Sequence, residues 1–96
     1  MQVLITYDVC TATTDGKRRL RRVAKTCEDW GQRVQMSVFE CKVDPAQYTA
    51  LKAKLTSIID TELDSLRFYL LGKEWSRRVE HVGVDRSINP DDPLVI

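Results

Sequence analysis

The sequence predicts an α+β fold, a two-layer sandwich in which two helices cover one face of an antiparallel sheet. Three observations predict it. Apolar residues alternate with period two in three separate stretches, two intervening segments carry apolar residues at helical spacing, and polar or glycine-bearing turns divide them.

The first strand is MQVLITYDVC. Val3, Ile5, Tyr7 and Val9 share one face, and Leu4, Thr6 and Asp8 the other. Thr11, Thr13, Thr14, Asp15 and Gly16 then form a polar turn, with Thr14 or Asp15 the expected N-cap of a helix. In that helix Leu20, Val23, Ala24 and Cys27 fall on one stripe, while Arg18, Arg21, Arg22 and Lys25 project away from it. Gly31 is expected to end it by adopting positive φ.

The stretch QRVQMSVFECKVD alternates again, with Val34, Met36 and Val38 on one face and Arg33, Gln35, Ser37 and Phe39 on the other. Pattern alone allows one long strand or two short ones meeting at a bend around Ser37. Asp44 and Pro45 supply a cap and an N1 proline for a second helix, whose stripe is Tyr48, Leu51, Leu55, Ile58 and Ile59. Ser65 to Leu71 is the next strand, with Leu66, Phe68 and Leu70 opposed to Arg67 and Tyr69, and Gly72 closes it. Trp75 to Val84 reads as a short edge strand, and residues 85–96, with Pro90 and Pro93, as an extended tail.

The order β, α, β, (β), α, β is that of a ferredoxin-like sandwich, expected over residues 1–84 with a C-terminal extension at 85–96. The helices cover one side of the sheet. On the other, the alternation places Leu4, Thr6, Asp8, Arg33, Gln35, Ser37, Phe39, Arg67 and Tyr69. Such a face calls for a partner, and a second copy is the simplest, because twofold symmetry makes one patch complementary to itself.

With 96 residues the chain has the size of one domain, and its 43% hydrophobic and 30% charged composition is that of a folded globular protein. Fifteen Lys and Arg against fourteen Asp and Glu leave a net charge of +1, so affinity for nucleic acid must come from local clustering. No apolar run has the length of a membrane span and the opening does not read as a secretory leader, so a cytoplasmic location is expected. Cys10, Cys27 and Cys41 are odd in number and widely spaced, which reads as small buried or half-buried thiols. His81, the sole histidine, reads as structural or surface.

Asp8 is the residue that carries chemistry. A carboxylate at a strand end commonly accepts hydrogen bonds from the following loop. A homodimer closed across the open face could instead bring the two Asp8 carboxylates to the axis, where they repel and raise one pKa unless a cation sits between them. Hard oxygen donors without His or Cys suit Mg²⁺ or Mn²⁺, ions that serve phosphodiester cleavage.

The segments VLITYDV, GQRVQMSVFEC (Gly31 to Cys41), DSLRFYLLG (Asp64 to Gly72) and RRVEHVG (Arg77 to Gly83) together resemble the CRISPR-associated protein two family. That family is the small non-integrase subunit of the spacer-acquisition machinery. The resemblance runs over residues 1 to about 84 and implies a ferredoxin-like homodimer in which Asp8 faces its symmetry mate. It further implies an associated Mg²⁺ and endonuclease activity on single-stranded RNA or double-stranded DNA. In the adaptation complex the dimer would bridge dimers of the integrase subunit against the protospacer duplex. Asp8 carries over as metal ligand and candidate catalytic residue, and Tyr7, Arg33, Ser37 and Phe39 fall on motif positions.

Each of these has a plainer reading. Tyr7 points toward the helices and belongs to the core, Ser37 satisfies backbone at a bend, and Phe39 anchors the dimer. Arg33 is either a solvated strand residue or, beside a metal, a bidentate phosphate ligand and catalytic partner. KRRLRRVAK is either a solvated helix face or a phosphate track using Arg18, Arg22 and Lys25. Two functions follow: a Mg²⁺-dependent endonuclease, or a non-catalytic scaffold that positions DNA for the integrase. An RNA-recognition module is disfavoured, since its stacking-aromatic pattern is missing.

Overall fold

The computed structural model describes residues 1–83. Its elements are β1 (Gln2–Asp8), α1 (Thr14–Trp30), β2 (Gly31–Gln35), β3 (Val38–Lys42), α2 (Pro45–Ile58), β4 (Ser65–Leu70) and a one-turn α3 (Trp75–Arg78). The sheet is antiparallel with order β2-β3-β1-β4, the ferredoxin-like arrangement the sequence predicts. Val84 and the extension at 85–96 lie outside the described residues.

β1 is central. Val3, Ile5, Tyr7 and Val9 join Phe39, Cys41 and Val43 beneath Val23 and Cys27 of α1 and Leu51, Leu55 and Ile58 of α2. That cluster is the core. Tyr48 of α2 meets Phe68 of β4 edge to face, centroids 5.8 Å apart, which ties the second helix to the far edge of the sheet.

Helix ends follow local chemistry. The N-cap of α1 is Thr13 rather than Thr14 or Asp15: Thr13 is still extended, and its Oγ1 accepts the Gly16 N–H at 3.1 Å. Asp44 caps α2 in a reciprocal capping box with Gln47, and Pro45 occupies N1 as expected.

Two expectations change, and one open alternative closes. Gly31 is extended (φ −160°), so positive φ is not what requires glycine there. A Cβ on Gly31 would overlap the Cys41 sulfur and the Glu40 carbonyl oxygen, because α1 runs directly into a strand pressed on β3. The stretch from Gln32 to Asp44 contains two strands joined through Met36 and Ser37, with a register shift between Arg33 and Gln35. The expected edge strand at Trp75 to Val84 is not formed over the described residues: Trp75–Arg78 is helical, and 79–83 belong to no strand. Gly72 does turn at positive φ (79°) to close β4.

Candidate functional site

Asp8 is the last residue of β1 and is exposed. Its backbone pairs with Ser65 of β4, and strand alternation puts its side chain on the uncovered face with Leu4 and Thr6. Along that face Leu4 lies between Glu40 and Tyr69, and Thr6 between Val38 and Arg67. The Arg67 guanidinium donates to the Tyr69 hydroxyl at 3.1 Å, and Tyr69 is 41% exposed. Among the described residues no group of three or more His, Cys, Asp or Glu is placed to hold a metal. Asp8 offers one hard carboxylate donor and belongs to no three-ligand cluster among the described residues. That chemistry fits Mg²⁺ or Mn²⁺, but the rest of a coordination sphere must come from water, substrate or a second copy.

Arg33 and Phe39 are not on the open face. Phe39 pairs with Ile5 on one side and Arg33 on the other, all three directed toward the helices, and Phe39 is fully buried. Alternation does keep Arg33 and Phe39 on one face, but that face is the covered one: Phe39 continues with Cys41 and Val43 into the core, while Met36 of the expected apolar face is exposed. Phe39 is thus a core ring rather than a dimer anchor: it stacks on Tyr7 with centroids 6.2 Å apart. The Arg33 guanidinium lies 5.1 Å above its centroid and reaches Glu28 at 3.3 Å.

Tyr7 belongs to the core, with its hydroxyl donating to the Met36 carbonyl at 3.3 Å. Burial pushes its pKa upward, partly opposed by the neighbouring Arg33 guanidinium, so the phenol stays protonated. Ser37 sits in the β2–β3 turn and its carbonyl oxygen accepts the Tyr7 N–H at 3.1 Å. Tyr7, Arg33 and Phe39 therefore do come together on the side of the sheet away from Asp8, and Ser37 joins them through its backbone.

The basic face of α1 is as expected. Arg18, Arg21, Arg22 and Lys25 line a groove shared with Lys54 and Ile58 of α2, and Asp29 is the acid within it. Lys25 is held by Asp29 at 3.0 Å, which raises its pKa and lowers its net contribution to the groove. Burial pushes the Cys27 thiol up to about 12 and Cys41 to about 11, so both are inert core groups. Exposed His81 has a local partner, the Gly83 carbonyl oxygen at 2.9 Å.

Asp64 escapes a reading of the sequence. Its side chain is wholly buried and accepts from Arg19 Nε at 2.8 Å, Arg19 Nη2 at 3.3 Å, Cys10 N at 3.0 Å and Asp60 N at 2.9 Å. Those hydrogen bonds, led by the guanidinium, hold its pKa below the usual carboxylate value. The sequence signal is slight: an aspartate just before a strand, with Arg19 lying 45 positions away.

Fold and site together define a small ferredoxin-like domain that presents one strand-end carboxylate on an open sheet face and a basic groove on its helical layer. The chain belongs to the CRISPR-associated Cas2 family, whose model, "CRISPR associated protein Cas2", matches residues 1–79. It is 57% identical over 94 residues to "CRISPR-associated endoribonuclease Cas2 3" of Rhodospirillum rubrum, covering 98% of this chain and 99% of that one. It is 58% identical over 95 residues to "CRISPR-associated endonuclease Cas2" of Halalkalibacterium halodurans, covering 99% of each. The crystal structure of Streptococcus pyogenes Cas2 at pH 6.5 superimposes with a TM-score of 0.77 at 63% identity, over 86% of this chain and 100% of that one.

Proposed function

We propose that the protein is a homodimeric, Mg²⁺-dependent endonuclease that hydrolyses phosphodiesters of single-stranded RNA or double-stranded DNA in the cytoplasm, and acts with the integrase subunit in CRISPR spacer acquisition. The observation that carries the proposal is the exposed Asp8 at the end of the central strand, on a sheet face where Leu4, Val38 and Tyr69 call for a partner. Relatives more than half identical over nearly the full chain bear the names endoribonuclease and endonuclease, which supports the activity class.

In the dimer, Asp8 of each copy supplies one carboxylate to the shared axis, so that two donors meet where one copy brings Asp8 alone. The paired Asp8 carboxylates would hold Mg²⁺ or Mn²⁺, an ion that would supply acidified water and charge neutralisation at the scissile phosphate. Arg18, Arg22 and Lys25, with Arg21 and Lys54, give the backbone a track that carries no base-reading pattern. Arg33 acts from beneath, by fixing Phe39 and Tyr7 immediately before Asp8. A direct role for Arg33 at the scissile phosphate loses support, because its side chain leaves the opposite face of the sheet.

The test is Asp8→Ala in the full chain. It should dimerise as wild type and lose Mg²⁺-dependent cleavage of both substrates; cleavage at the wild-type rate overturns the reading. Arg18→Glu with Arg22→Glu should weaken duplex binding and flatten its dependence on salt, the slope falling by about 0.9 for each phosphate no longer neutralised.

A second reading is favoured by the sparse acidic constellation, since among the described residues no cluster of three metal-binding side chains forms around Asp8. In it the dimer is a scaffold that positions duplex DNA between integrase dimers without a chemical step. Asp8→Ala would then leave DNA binding and spacer acquisition intact.

A further inference from the structure

Asp8 is bracketed on both sides along the chain. Upstream and at the residue itself, the antiparallel ladder with β4 fixes the backbone through Asp8 opposite Ser65. Two residues downstream, the Cys10 N–H is held by the carboxylate of Asp64, the residue immediately before Ser65. The other side of Cys10 is closed as well: α1 packs so tightly at Gly16 that a Cβ there would overlap the Cys10 carbonyl oxygen. The chain therefore leaves β1 along one path, set by β4 and by the first turns of α1.

We propose that Asp64 is a positioning residue for Asp8, holding the segment that follows it between β4 and α1 so that the Asp8 carboxylate is presented at a fixed point on the open face. The inference rests on the nuclease reading of Asp8 given above. Asp64 suits the task because its carboxylate joins three parts of the chain at once: Cys10 after β1, Arg19 in α1 and Asp60 at the end of α2. Arg19 belongs to the helix that carries Arg18 and Arg22, so the same bracket sets the basic face relative to Asp8. A carboxylate that must meet its symmetry copy tolerates little displacement, on the order of 0.5 Å. An error of about 1 Å costs on the order of a hundredfold in rate.

The test uses Asp64→Asn in the full 96-residue chain. The variant keeps the side chain's size but turns one acceptor into a donor that faces the Arg19 guanidinium and either the Cys10 or the Asp60 N–H. Cleavage of a fluorescent single-stranded RNA and of a duplex DNA in Mg²⁺ is compared with wild type and with Leu51→Val, a core variant in α2 that lowers stability while leaving the hydrogen bonds of Asp64 in place. Expected is a fall in kcat of about tenfold or more with KM within about twofold. With it should come faster amide exchange at Cys10 and a displaced ¹³C resonance of the Asp8 carboxyl carbon, neither of which Leu51→Val produces.

Folded Asp64→Asn that matches Leu51→Val in kcat and leaves the Asp8 resonance in place overturns the proposal. Should Asp64→Asn fail to fold, Arg19→Lys keeps the backbone bonds of Asp64 while removing the two-pronged contact, and the same comparison decides. If wild type and Asp8→Ala cleave equally, it is the nuclease reading that fails. The Asp8 resonance then judges the bracket alone: movement in Asp64→Asn supports it and immobility overturns it.

Discussion

Replacing Phe39 by leucine separates a core ring from an interface anchor. Leucine retains apolar bulk but cannot stack on Tyr7 or sit beneath the Arg33 guanidinium. Loss of the stacked pair is worth about 0.5 to 1.5 kcal/mol, and loss of the cation–ring contact about 0.5 to 1 kcal/mol more at this partial exposure. Together they come to about 1 to 2.5 kcal/mol, a sizeable fraction of the roughly 5 to 15 kcal/mol that holds a small domain folded. The melting temperature should fall by about 4 to 8 °C for each kcal/mol of destabilisation. Urea unfolding followed by circular dichroism gives the stability change, and sedimentation equilibrium under native conditions gives the dissociation constant of the proposed dimer. Expected is a lower urea midpoint with dimerisation unchanged. An unaltered midpoint together with a tenfold weaker dimer would place the ring against the partner and refute the argument from burial. Tyr69→Ala, on the open face, should behave in the opposite way.

Three further outcomes are expected. Gly31→Ala should lower stability by about 1 to 3 kcal/mol in thermal melts, because a Cβ there overlaps Cys41 and Glu40 although the backbone angles suit any residue. Asp64 has a folded pKa below its ordinary value of 3.8, so its contribution to stability is present above that pH and is lost as pH falls through the depressed folded value. Stability measured from pH 7 downward should therefore decline more gently on the acid side in Asp64→Asn than in wild type. Iodoacetamide at pH 8 should modify half-exposed Cys10 first in native protein. Cys27 and Cys41, with pKa values pushed up to about 12 and about 11, should react only on unfolding, as read by mass spectrometry of the peptides.

Much of this architecture is legible along the chain. The faces of β1, the stripe of α1 and the cap of α2 depend on neighbours within a few positions, and period-two and 3.6-residue patterns report such neighbours directly. Asp8 stands out for the same reason, as a carboxylate at the end of an otherwise apolar-patterned strand. Periodicity tells which residues share a face but not which face is covered: Arg33 and Phe39 lie together as the alternation says, yet on the helix side, where Phe39 pairs with the core residue Ile5. At Trp75–Arg78 the apolar pattern is too short to distinguish a strand from a single helical turn.

The sequence by itself determined the succession of β1, α1, the β stretch after Gly31, α2 and β4, the face of β1 that carries Asp8 and the basic side of α1, since each is a property of local periodicity. Only the tertiary structure decided that Phe39 is core, that Arg33 faces away from Asp8, and that Asp64 closes on Arg19 and Cys10. Those are meetings between residues far apart in the chain, and they exist only once strands have chosen their register and the helices have docked.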